Sequence, residues 1–112
     1  MPIKVTCKPG VWFKFISWEF TVAAQTAFGV YQEYNIIPCV TSAAEPESKH
    51  MTGSLHYVGL AWDFRIWGLN DPQQASNKIK RLLQDTDFRY DVIFEKDHIH
   101  IEFDSKKTKL GG

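Results

Sequence analysis

The predicted fold is built around residues 54–63, which read SLHYVGLAWD. This run places His56 and Asp63 seven positions apart, and a second run near the C-terminus, DHIHIEF, adds His98 and His100. Imidazole nitrogens and carboxylate oxygens are zinc ligands, and a catalytic zinc site uses three protein ligands and keeps a fourth position open for water. Together the two runs predict a zinc centre.

The composition is that of one globular domain. A chain of 112 residues has no room for a second core, and its content of 44% apolar and 14% aromatic residues is not that of a disordered chain. Thirteen basic and thirteen acidic side chains give a net charge of zero, whereas nucleic-acid binders carry a basic excess on one face. We therefore expect a single domain over residues 1–112 that is a monomer and binds no nucleic acid.

The cysteines and the apolar runs indicate in which cellular compartment the protein is made. Cys7 and Cys39 are too few and too far apart in sequence for a disulfide framework or a thiolate zinc site, so we expect two reduced thiols. The apolar run at residues 11–16 is short and contains Lys14, unlike a signal peptide. No run approaches the ~18 apolar residues of a membrane span. We expect synthesis in the cytoplasm and no membrane association.

Two helices are predicted. Ser17 can cap a helix that runs to about Tyr34, and Asp71 followed by Pro72 begins a second helix that runs to about Leu83. Helical spacing predicts the core-facing residues, which are Trp18, Val22, Phe28 and Tyr31 in the first helix and Ala75, Ile79, Leu82 and Leu83 in the second.

Four strands are predicted, at residues 36–41, 58–66, 90–94 and 99–103. Pro38 suggests that the first of them lies at a sheet edge, and the last two form a hairpin around residues 95–97. The prediction is an α+β domain with a small, mainly antiparallel sheet covered on one side by two helices. An N-terminal arm at residues 1–16 packs onto this domain, and residues 106–112 form a frayed tail.

Strand alternation separates polar from apolar side chains. It places Ala61, Asp63, Arg65 and Trp67 on one face of their strand and Trp62, Phe64 and Ile66 on the other. In the hairpin, His98, His100 and Glu102 share a face opposite Ile99, Ile101 and Phe103. An unbroken strand would put His56 and Asp63 on opposite faces, so His56 must lie in a preceding loop, or a bulge at Gly59 must intervene.

The motif Ser-x-His-x-x-Gly-x-Ala-x-Asp with a late His-x-His resembles that of the zinc peptidases of the D-alanyl-D-alanine carboxypeptidase type. This family includes small phage endolysins and the Hedgehog signalling domain, whose Ser-Leu-His-Tyr run is shared at residues 54–57. The resemblance implies the fold of this peptidase and Hedgehog family and a Zn2+ cofactor. Its ligands would be His56, Asp63 and His100, because the family's last ligand is the second His of the pair.

The resemblance also implies catalytic roles. Asp97, three positions before the last ligand, matches the general base of the carboxypeptidases, and Glu95 competes because the Hedgehog branch has a Glu further upstream. Glu102 shares the histidine face and stays a candidate. His98 would donate a hydrogen bond to the oxyanion. His50 matches a pocket histidine of the Hedgehog branch and would play a similar catalytic part, or it is an exposed loop residue.

The sequence departs from the family's pattern at one position that binds the substrate. Many bacterial members carry an Arg before the motif that holds the substrate's terminal carboxylate, but the run VTSAAE at residues 40–45 has none. Arg65 or Lys49 is the candidate replacement, and Ser54 is assigned with Arg65 to substrate binding. If no residue replaces the missing Arg, the enzyme needs no free carboxylate, which favours an endopeptidase.

The resemblance therefore implies a zinc-dependent hydrolase of peptidoglycan peptide bonds that involve D-amino acids. It would act by metal-activated water on a stem or cross-link peptide, as a carboxypeptidase or an endolysin-type endopeptidase. Without its own export signal, such an enzyme fits a phage product that a separate pore protein releases to the cell wall. The alternatives are a non-catalytic, zinc-stabilised binding module of the same fold and a peptidase of an unrelated small peptide.

Overall fold

The computed structural model describes residues 5–11, 17–42 and 60–107. In these ranges the chain forms one sheet in the order β1-β2-β3-β5-β4, in which only β1 and β2 are parallel neighbours. The predicted α+β class with a mainly antiparallel sheet and two helices is confirmed. The elements in chain order are β1 (Thr6–Cys7), α1 (Trp18–Glu33), β2 (Cys39–Ser42), β3 (Ala61–Arg65), α2 (Pro72–Thr86), β4 (Tyr90–Glu95) and β5 (His98–Phe103).

Helix α1 begins where the sequence predicts. The side chain of Ser17 accepts a hydrogen bond from the Phe20 N–H at 3.1 Å, which satisfies one of the unpaired donors of the first turn. The predicted core face is wrong for Trp18, which is 78% exposed, and Val22 and Phe28 are only partly buried. Three of the six buried residues of the helix are alanines. The buried residues are Phe20, Ala23, Ala24, Ala27, Val30 and Tyr31.

Helix α2 also begins at its predicted cap. The Asp71 carboxylate accepts a hydrogen bond from the Gln74 N–H at 3.0 Å, and Pro72 occupies the first turn. The helix ends at Thr86, three residues later than predicted. Ala75, Ile79 and Leu83 are fully buried as predicted, but Leu82 is 37% exposed and its prediction is wrong.

The predicted alternation of β3 and β5 is confirmed. Trp62, Phe64, Ile99 and Ile101 are buried, and they belong to the same core cluster as the buried residues of α1 and α2. The Phe64 ring lies 5.9 Å from the ring of Tyr31, centroid to centroid. Both helices therefore cover the apolar face of the sheet, and the opposite face carries the polar residues of β3 and β5.

The first predicted strand needs correction. Strand β2 begins at Cys39, after Pro38, and it does not lie at the sheet edge. Strand β1, which the sequence did not predict, covers it: the Thr6 N–H donates to the Pro38 carbonyl at 2.8 Å, and the Lys8 N–H donates to the Val40 carbonyl at 2.9 Å.

Neither helix in the described ranges is long and apolar enough to cross a membrane. Cys7 and Cys39 lie on neighbouring strands, and each is a free thiol.

Candidate active site

Asp63 and His100 meet on the polar face of the sheet. They are directly opposite each other in the register of β3 and β5, and Oδ1 of Asp63 lies 2.7 Å from Nδ1 of His100. Residues that face each other across antiparallel strands have closely spaced Cβ atoms, so even a short carboxylate reaches the ring. Both side chains are largely buried, at 17% and 16% exposure. The sheet thus brings two of the three predicted zinc ligands into contact.

Glu102 contacts the other nitrogen of the same ring. Its Oε1 lies 2.9 Å from Nε2 of His100, because residues two apart on a strand share a face. Metal-binding histidines usually donate their second N–H to such a carboxylate, which fixes the ring. The sequence predicts Glu102 as a possible base, whereas its contact in the structure is with the predicted ligand His100. The sequence signal for this contact is the two-residue spacing of His100 and Glu102, which puts both side chains on one face of β5.

The two carboxylates govern the protonation of His100. Burial disfavours the charged imidazole, but the hydrogen bonds to Asp63 and Glu102 outweigh it and raise the pKa of His100 to about 10. A metal binds only the neutral imidazole. A proton and a metal ion therefore compete for this ring.

His98 lies beside the pair. Its Nε2 is 3.7 Å from Oδ1 of Asp63 and 3.7 Å from Oε1 of Glu95, while its Nδ1 is 2.7 Å from Oδ1 of Asp97. The hydrogen bond from His98 lowers the pKa of the exposed Asp97 carboxyl. Asp97 is therefore an ionised carboxylate that holds one side of the His98 ring, and the other side of the ring faces Asp63.

Asp63 and His100 have the side-chain chemistry of zinc ligands, but their spacing is that of a hydrogen bond. The ligating atoms around a tetrahedral zinc lie about 3.3 Å apart, given metal–ligand distances of about 2.0 Å. Oδ1 of Asp63 and Nδ1 of His100, which are 2.7 Å apart, would therefore have to separate slightly to bind one ion. Within the described ranges no group of three or more His, Cys, Asp or Glu residues is arranged to hold a metal ion. The third predicted ligand, His56, lies outside those ranges.

Arg65 lies on β3 two residues after Asp63, and its guanidinium stacks over the Trp67 ring, 3.7 Å from the ring centroid. Both side chains line an open depression of about 290 Å³. This depression is lined by Asp63, one of the three predicted zinc ligands, together with His98 and Asp97. Its lining residues are Lys8, Thr41, Ser42, Asp63, Arg65, Trp67, Asp97 and His98.

Three predicted site residues lie outside the described residues together with His56: Ser54, His50 and the alternative cation Lys49. Among the described residues the sequence analysis missed Lys8, which follows β1 and lines the depression. A two-residue strand has no periodic pattern, so no sequence signal places Lys8 next to β2 and β3.

Comparison of the chain with protein-family models, with curated proteins and with solved structures gave no match. Support for a function therefore comes from the contacts among the chain's own residues and from the resemblance of its motif.

Proposed function

We propose that this protein is a zinc-dependent peptidase that hydrolyses peptide bonds of peptidoglycan, with a fold of the Hedgehog and D-alanyl-D-alanine peptidase type. The observation that carries the proposal is the contact between Asp63 and His100, with His98 beside it, on one face of two adjacent strands. This arrangement offers the Asp63 carboxylate and the His100 imidazole to one metal ion, with His98 beside them. The motif supplies the substrate class and the third ligand, His56.

Asp63, His100 and His56 would hold the ion. Bound zinc lowers the pKa of a water ligand towards ~7 and polarises an amide carbonyl. Glu102 keeps the His100 ring in place by accepting a hydrogen bond from its Nε2–H. The ligand and its supporting carboxylate therefore come from the same strand.

Asp97 acts as the general base, accepting the proton of the attacking water and passing it to the leaving amine. We favour Asp97 over Glu95 because Asp97 lines the depression together with Asp63 and His98. His98, held at Nδ1 by Asp97, presents Nε2 on the Asp63 side. In its protonated form this nitrogen donates a hydrogen bond to the oxyanion of the tetrahedral intermediate.

Digestion of purified peptidoglycan tests the proposal, with products identified by mass spectrometry with and without a chelator. Chelator-sensitive release of D-alanine would identify a carboxypeptidase, and chelator-sensitive cleavage at L-alanyl-D-glutamate or cross-link bonds would identify an endopeptidase. The Asp63→Asn variant is the control and should release neither product. If zinc-loaded protein releases nothing from walls of several chemotypes, the proposal is wrong and the non-catalytic binding module takes its place.

A further inference from the structure

We propose that Lys8 and Arg65 form a binding site for a carboxylate of the peptide substrate, beside the Asp63–His100 pair. The identity of the substrate rests on the proposed function. The binding site itself rests on where the two cations lie and on what the neighbouring carboxylates contact.

The two cations line the depression from different parts of the sheet, Arg65 from β3 and Lys8 from the position that follows β1. Arg65 follows Asp63 by two residues on the same face of β3, a separation of about 7 Å along a strand, and it lies opposite His98 in the register with β5. Lys8 is fixed beside β2 by the hydrogen bond from its N–H to the Val40 carbonyl. Both side chains line the same depression as Asp63 and His98.

The carboxylates around the depression already have other partners. Asp63 and Glu102 contact His100, and Asp97 contacts His98. In the described part of the chain, no ion pair joins Lys8 or Arg65 to a carboxylate. Their charges are therefore available to an anionic group that enters the depression.

Trp67 prepares Arg65 for this role. The stacked indole supports one face of the guanidinium, and the edge of the guanidinium carries the N–H donors that match the two oxygens of a carboxylate. Lys8 adds a second, more flexible charge. A rigid planar donor with a mobile cation beside it is well suited to an anion on a peptide.

Two carboxylates of a peptidoglycan peptide are candidates for this site. A distance of about 7 Å corresponds to roughly two residues of extended chain, so the anion lies close to the bond that is cut. It is either the C-terminal carboxylate or the free carboxylate of a D-glutamate. The first would make the protein a carboxypeptidase, and the second would make it an endopeptidase.

The test uses the pentapeptide L-Ala-D-Glu-L-Lys-D-Ala-D-Ala in three forms: unmodified, amidated at its C-terminus and amidated at the glutamate carboxylate. Dissociation constants are measured by calorimetry with metal-free protein, and zinc binding and cleavage are measured separately. Arg65→Gln and Lys8→Met should each weaken binding of the unmodified peptide about tenfold or more. They should not weaken binding of the form that lacks the recognised carboxylate. Arg81→Gln and Lys106→Met, which remove exposed charges elsewhere, are the matched controls and should change nothing.

Whichever amide binds weakly to the wild-type protein identifies the recognised carboxylate. If both amides bind as tightly as the parent peptide, the inference is overturned, even when zinc-dependent cleavage is present. The same holds if Arg65→Gln weakens all three forms equally, because Arg65 then acts through the structure alone. Carboxylate-dependent binding by a protein that neither binds zinc nor cleaves would uphold the site and refute the proposed function.

Discussion

Asp63 of β3 and His100 of β5 face each other across the sheet, with Oδ1 2.7 Å from Nδ1, although 37 residues separate them in sequence. Since Nε2 of the same ring lies 2.9 Å from Glu102, carboxylates contact both ring nitrogens. In the metal-free protein the pKa of about 10 means that both ring nitrogens carry a proton at neutral pH. With the proton removed from Nδ1, the same nitrogen can bind a metal.

In the metal-free protein, His100 should titrate far above an ordinary imidazole. Its pKa is raised from 6.5 to about 10, so its contribution to stability is complete below about pH 6.5 and is lost as the pH rises through about 10. Imidazole NMR shifts recorded in the presence of a chelator measure this pKa directly. Glu102→Gln should lower it, because the substitution removes one of the two partner charges. A His100 that titrates near 6.5 in the wild-type protein would contradict the described contacts.

The general base is the second point to test. Asp97→Asn should abolish turnover while zinc stays bound, because Asp97 lies on the turn outside the predicted ligand set. Glu95→Gln is the matched control and should keep most of the activity. Full activity in Asp97→Asn together with loss in Glu95→Gln would transfer the role to Glu95, whose carboxylate also lies near His98.

Tyr31 ties helix α1 to the strand that carries the site. Its buried hydroxyl donates to the Arg65 carbonyl at 2.8 Å. Tyr31→Phe should lower the free energy of unfolding by about 1 kcal/mol, the usual net value of one such hydrogen bond, measured by urea denaturation. Tyr34→Phe is the control: its hydroxyl makes an exposed contact to Gln74 at 3.3 Å, so a loss as large as that of Tyr31→Phe would refute the assigned role.

Local signals in the sequence predict most of the fold. The caps at Ser17 and Asp71 mark where the helices begin, and strict alternation along β5 separates its histidines from Ile99 and Ile101. These signals work because capping and alternation depend on neighbours in sequence.

The sequence predicts less where distant parts of the chain meet. Strand β1 has only two residues and forms through pairing with β2, so no periodic pattern marks it. Helical spacing predicts Trp18 and Leu82 in the core, but α1 packs through a neighbouring stripe that includes Ala23 and Ala27, and α2 packs through Ala75, Ile79 and Leu83. Helical spacing alone does not determine which of several overlapping faces of a helix is buried.

In the candidate site, too, local patterns predict part of the arrangement and the pairing of distant segments determines the rest. Alternation predicts that His98, His100 and Glu102 share a face, and the structure confirms it. The pairing of Asp63 with His100 depends on the register between two distant strands, which no local pattern specifies. The ligand role of His56, which lies outside the described residues, remains a prediction.

Metal content is the most direct test of the zinc centre. The wild-type protein, purified with zinc and then dialysed, should retain one zinc ion per chain. Asp63→Asn and His100→Gln should retain none, while His98→Gln should retain the ion, with circular dichroism confirming that each variant is folded. A folded wild-type protein without zinc, or zinc retained in both Asp63→Asn and His100→Gln, would contradict the assignment of Asp63 and His100 as metal ligands.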